Sequence, residues 1–119
     1  MKTGEAIAAL NELKPNDYTT ATKLAWLSEL DGRIVRELLS RFDDEAEEPV
    51  YGDTDEELLV GQPYTGIYID YMAAKVDFYN NEFDLYNNDY TAFNALYGAY
   101  EAWYIRRHRA ISTQRLVLP

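Results

Sequence analysis

Asp70 and Asp77 stand seven residues apart, a spacing that puts both carboxylates on one face of a helix and could serve acid–base work. Nothing nearby supplies a nucleophile or an oxyanion donor. The chain has no cysteine, and His108 is its single histidine. Thiol nucleophiles, a Ser-His-Asp triad and a His- or Cys-ligated metal centre therefore lack their parts. Asp53-x-Asp55-x-Glu57 opens like a calcium loop, but Leu58 fills the sixth position and Tyr64 the twelfth. Such a loop needs glycine and a bidentate glutamate there. These residues read as those of a non-enzyme with no metal and no cofactor.

Charge is the stronger chemical signal. The 119 residues carry 21 acidic and 11 basic side chains, a formal net charge of −10. Nine acids and no base fall between 43 and 57: Asp43, Asp44, Glu45, Glu47, Glu48, Asp53, Asp55, Glu56 and Glu57. Blocks of like charge usually form a solvated, mobile loop. A sharper reading is a negative surface that repels nucleic acid or imitates it. Unassisted DNA or RNA binding is disfavoured, because phosphate needs a cationic face. The other end is basic, with Arg106, Arg107, His108, Arg109 and Arg115. Cations complement a helix C-terminus, which accounts for one or two of these arginines. It leaves unexplained Arg115 and the apolar Leu116, Val117 and Leu118 beyond it, unless a partner receives them. The charge pattern is bipolar, an acidic loop opposed to a basic arm.

The elements that must carry these groups are cut out by proline and glycine. Thr3 is a candidate N-cap for a helix to about Leu13, with Ile7, Leu10 and Leu13 inward; Pro15 ends it. Thr19 or Thr20 caps a second helix to about Phe42, with Leu24, Leu27, Leu30, Ile34, Leu38 and Phe42 on its apolar face. Gly32 inside it suggests a close helix crossing or a bend. A third helix starts near Pro63–Thr65 and ends at Tyr79 before Asn80-Asn81. A fourth runs from about Glu82 to Arg107, and residues 110–119 form an extended arm. The first thirteen residues lack the apolar core of a secretory leader, and no window of eighteen uncharged apolar residues suggests a membrane span. Zero cysteines suit a reducing cytosol.

The fourth helix carries Phe83, Tyr86, Tyr90, Phe93, Tyr97, Tyr100 and Tyr104 at alternating intervals of three and four. That is a heptad seam in aromatics, which is core or, because buried tyrosine hydroxyls seek partners, partly an intersubunit surface. The expected fold is all-α: a small four-helix domain over 1–109, with the long seamed helix last, an acidic loop and an extended C-terminal arm.

KLAWLSELDGRI (Lys23–Ile34) is followed by the acidic loop and then by ELLVGQPYTGIYIDYMAAKVDFYNNEFDLYNNDYTAFNALYGAY (Glu57–Tyr100). This succession resembles small helical head–tail connector, or adaptor, proteins of siphophages and prophages of Gram-positive bacteria. The resemblance spans roughly residues 5–108. Gly61-Gln62 departs from it, where another proline-containing pair is expected, and so does the length of the tail past Arg109. It implies a virion neck protein, made in the host cytoplasm, that forms a homo-oligomeric, dodecameric ring under the portal protein and joins a tail-side stopper or tail-completion protein. DNA would pass through without specific binding. The portal-gripping role would fall to Arg106, Arg107, Arg109, Arg115, Leu116, Val117 and Leu118. The competing readings are a small acidic phage protein that mimics DNA to inhibit a host nucleic-acid-binding protein, an undirected structural module or toxin-neutralising partner, and, last, an enzyme.

Overall fold

A computed structural model describes the backbone of residues 1–117 and the side chains of residues 1–109. The fold is all-α, with four helices: α1 (Thr3–Leu13), α2 (Thr20–Glu37), α3 (Gly66–Tyr79) and α4 (Phe83–Val117). Among the described residues the only β-type pairing is an isolated bridge between Lys2 and Glu57.

Each boundary has a local cause. Lys2, not Thr3, occupies the N-cap of α1, and its backbone N–H donates to Glu5 Oε1 at 2.8 Å. Thr3 is buried, and its hydroxyl donates to the Asp53 carbonyl at 2.8 Å. Thr19 caps α2 by accepting the Thr22 N–H at 3.1 Å. α2 stops at Glu37 and tightens into a 3₁₀ turn over Leu39–Arg41, five residues short of Phe42. Asn80 and Asn81 close the α3–α4 hairpin. Asn81 sits at φ 61°, a left-handed conformation that asparagine tolerates, and the Glu82 N–H returns to the Asp77 carbonyl at 2.8 Å.

The core lies where α1, α2 and α3 meet the middle of α4. Leu10, Leu27, Leu30, Ile34, Leu38, Ile67, Tyr68, Met72 and Phe93 are fully enclosed there. Leu13, expected inward, is 68% exposed. It falls in the last turn of α1, where the chain leaves the core towards Pro15.

The extended arm expected over 110–119 is replaced by helix as far as Val117. No glycine or proline interrupts the chain between Gly98 and Pro119, and extending a formed helix is far easier than nucleating one. Leu118 and Pro119 lie outside the described residues. At 1.5 Å per residue, the 35 residues of α4 reach about 52 Å, most of the molecule's 57 Å long axis.

Candidate functional site

The aromatic seam divides into four parts. Phe93, Tyr97 and Tyr100 are buried, with the Phe93 and Tyr97 rings 5.5 Å apart, and form the core's α4 wall. Tyr86 and Tyr90 stack at 5.5 Å and line a cleft of about 390 Å³ between α2, α3 and α4. Phe83 is 53% exposed and joins Phe78, Tyr79 and Leu85 in an exposed apolar group around the α3–α4 turn. At the far end, Tyr104 stacks on His108 at 3.7 Å, and Phe42 packs edge-on against Tyr104 at 5.8 Å.

The cleft collects cations in a protein that is acidic overall. Arg33, Arg36 and Lys75 line it with Glu29, Tyr71 and Phe78. Each cation already has a partner. Arg33 Nε bonds Glu37 at 3.0 Å, Lys75 Nζ bonds Glu29 at 2.9 Å, and Arg36 pairs with Glu48. Burial works against the Glu29 carboxylate, but the Tyr71 hydroxyl and Lys75 outweigh it and hold the carboxyl below its usual range. The cleft is thus charge-balanced within the chain, and its geometry does not present free cations to an anion.

The acidic segment is pinned, contrary to the expectation of a mobile loop. The Thr3 N–H donates to the Glu56 carbonyl and the Gly4 N–H to the Thr54 carbonyl, both at 2.9 Å. A Cβ at Gly4 would come within 2.7 Å of the Thr54 carbonyl oxygen, so this docking requires glycine. Lys2 Nζ reaches Asp55 at 2.7 Å, and the Glu56 carboxylate accepts the Gly52 and Asp53 N–H groups. A Cβ at Gly32 would come within 2.9 Å of the Glu48 carboxylate, the movable end of a side chain, so this contact does not by itself require glycine. Asp43, Asp44, Glu45, Glu47, Asp53 and Glu57 stay exposed.

The acidic run begins beside the basic end of α4. Phe42 packs against His108 at 5.5 Å, bringing the start of the acidic run to the basic end of α4. Burial first, and then the charge of Asp43, pushes the Tyr104 hydroxyl's pKa up. His108 Nδ1 lies 2.9 Å from the Tyr104 carbonyl, an ordinary intrahelical contact. Arg106, Arg107 and Arg109 are exposed, and the Arg107 guanidinium lies over the Trp103 ring at 5.7 Å. Arg115, Leu116 and Val117 lie on the helical backbone that continues from these residues.

Two buried carboxylates are the groups that motif reasoning overlooked or misjudged. Asp31, on α2, is fully enclosed. It accepts the Tyr68 hydroxyl at 2.7 Å, the Tyr51 hydroxyl, and the Leu59 N–H at 3.2 Å. Burial still pushes its pKa up against those three donors. Its signal was present in the sequence: Asp31 follows Leu27 by four residues and so falls on the apolar stripe of α2. Asp77 is not part of an acid–base pair with Asp70. It is buried beneath Lys14, whose Nζ lies 2.6 Å from Asp77 Oδ1 and 3.1 Å from Asp89 Oδ2. No spacing rule links Lys14 to Asp77, because the contact crosses 63 residues. Among the described residues no cluster of three or more metal-binding side chains occurs, and no helix is long and apolar enough to cross a membrane.

Comparison with protein-family models, with curated proteins and with solved structures finds no match to this chain.

Proposed function

We propose that this chain is a structural protein of a tailed-phage neck, a ring-forming head–tail connector that holds the portal through the distal end of α4. One observation carries the reading. Among the described side chains, Tyr104, Ile105 and His108 of α4 pack on the core or against Phe42, while Arg106, Arg107 and Arg109 are exposed beside them on a helix whose backbone continues to Val117. Exposed cations on such a helix suit an anchor for a second protein. The exposed Phe78, Tyr79, Phe83 and Leu85 supply apolar surface for the side-to-side contacts that close a ring. An acidic exterior suits a conduit, because phosphate gains no counterion release from it.

The test is to mix the full chain with purified portal and look for a ring by electron microscopy. Removing residues 110–119, or replacing Arg106 and Arg107 by glutamate, should abolish portal binding while the remaining helices persist by circular dichroism. Unchanged binding would overturn the anchor role. The exposed carboxylates along 43–57 favour a second reading, a DNA-mimic inhibitor. Tight inhibition of a DNA-processing enzyme without portal binding would select it.

A further inference from the structure

The junction of α1, α3 and α4 holds more acid than its single cation can balance. Asp77, on the last turn of α3, has no solvent exposure. Its Oδ1 accepts Lys14 Nζ at 2.6 Å, and the Asp89 carboxyl of α4 lies within hydrogen-bonding reach. Asp89 Oδ2 is at ion-pair distance from the same ammonium, 3.1 Å, but outside hydrogen-bond geometry. Both Asp77 Oδ2 and Asp89 Oδ2 are shielded from solvent and receive no donor from the protein. Buried oxygens of this kind are normally satisfied, and a carboxylate beside a carboxylic acid satisfies both.

The surrounding charges do not offer another solution. α3 also contributes Asp70, whose carboxyl is pushed up by burial and by the charge of Asp89. α1 contributes Lys14 alone to this contact. On α2 the nearest buried cation is Lys23, whose Nζ is turned to Asn11 Oδ1 at 2.7 Å and not to a carboxylate.

We propose that Asp77 and Asp89 share one proton beneath Lys14, and that this proton latches α1 onto the α3–α4 hairpin. With the proton in place, the pair carries one negative charge against one ammonium, and the missing donor is the shared O–H. Without it, a buried carboxylate and a half-buried one share a single lysine, with Asp70 alongside. The direction of titration agrees. Burial foremost, and then the Asp89 carboxyl, push Asp77 up to about 6, with Lys14 opposing. The latch is therefore set in mildly acidic solution and lost as the pH rises through about 6.

Carbon-13 NMR of aspartate carboxyls in the full chain between pH 3.5 and 8 tests this directly. The Asp77 carboxyl should titrate near pH 6. In Asp89→Asn, the new amide donates to Asp77, and Asp77 should titrate at lower pH than in the wild type. Amide exchange, corrected for its intrinsic pH dependence, supplies the second readout. α1 should lose about tenfold in protection or more between pH 5 and 7.5 in the wild type, and much less in Asp89→Asn. Should Asp89→Asn fail to fold, Asp77→Asn must show the same pH-independent protection. Two carboxyls that are both ionised at pH 5, or equal loss of protection in wild type and variant, would overturn the shared proton.

Discussion

Asp31 and Asp77 are both completely buried carboxylates, and they are solved in opposite ways. Asp31 is surrounded by neutral donors, two tyrosine hydroxyls and a backbone N–H, drawn from the segment between Tyr51 and Tyr68. Asp77 has one ammonium and a second carboxylate for company. The first arrangement ties a long connection to the core. Tyr68 makes the tie double, donating to Asp31 while accepting the Val60 N–H at 2.8 Å. The second arrangement joins three helices through charge and is short of a donor. Burial raises the pKa of both. The difference is in satisfaction: a buried acid with its full set of donors is a fastening, and one lacking a donor responds to protons.

The comparison breaks most visibly if the same substitution is made at both places. Asp31→Asn should destabilise by roughly 2–4 kcal/mol, because an amide nitrogen would face donors that need an acceptor. Urea unfolding with an unchanged m-value is the measurement. Asp77→Asn should go the other way at neutral pH. The Asp77 pKa is raised in the fold, so its contribution to stability is present at low pH and lost as pH rises through about 6. At pH 7.5 the variant is spared the excess buried charge and should be more stable by roughly 1–2 kcal/mol; at pH 4.5 that advantage should vanish. Loss of stability at both pH values would erase the distinction between the two sites.

How legible these features were follows from their range. The helices and most of the α2 stripe could be read from periodicity, because those preferences act over three or four residues. The α3 face could not, since α3 is enclosed nearly all round and has little period to show. The full length of α4 is not legible from periodicity, because the residues after Arg109 show no helical period, although no glycine or proline stands before Pro119. The acidic segment was misjudged for a different reason. Its order comes from backbone groups meeting α1 some 50 residues away, as in Thr3 with Glu56, and side-chain charge says nothing about that. Asp31 was visible as an acid on an apolar stripe. Asp77 was noticed for the wrong partner, since Lys14 and Asp89 reach it from other helices.

Glu37 separates partner chemistry from burial, and it is the smallest effect expected. Its carboxylate has a cation and a tyrosine hydroxyl, combining the partners of both buried sites: Arg33 Nε at 3.0 Å and the Tyr97 hydroxyl at 3.3 Å. Arg33 also lies over the Tyr97 ring at 5.0 Å. The Glu37 side chain is 49% exposed, however, so water competes for every contact. If partners alone made a carboxylate a fastening, Glu37→Gln would approach the cost of Asp31→Asn. If enclosure is what counts, the loss should stay below about 1 kcal/mol and shrink further in high salt, as for exposed ion pairs generally. Urea midpoints of Glu37→Gln at low and high salt decide between them, and a loss above 2 kcal/mol would mean that the Asp31 hub owes its strength to its tyrosines more than to its burial.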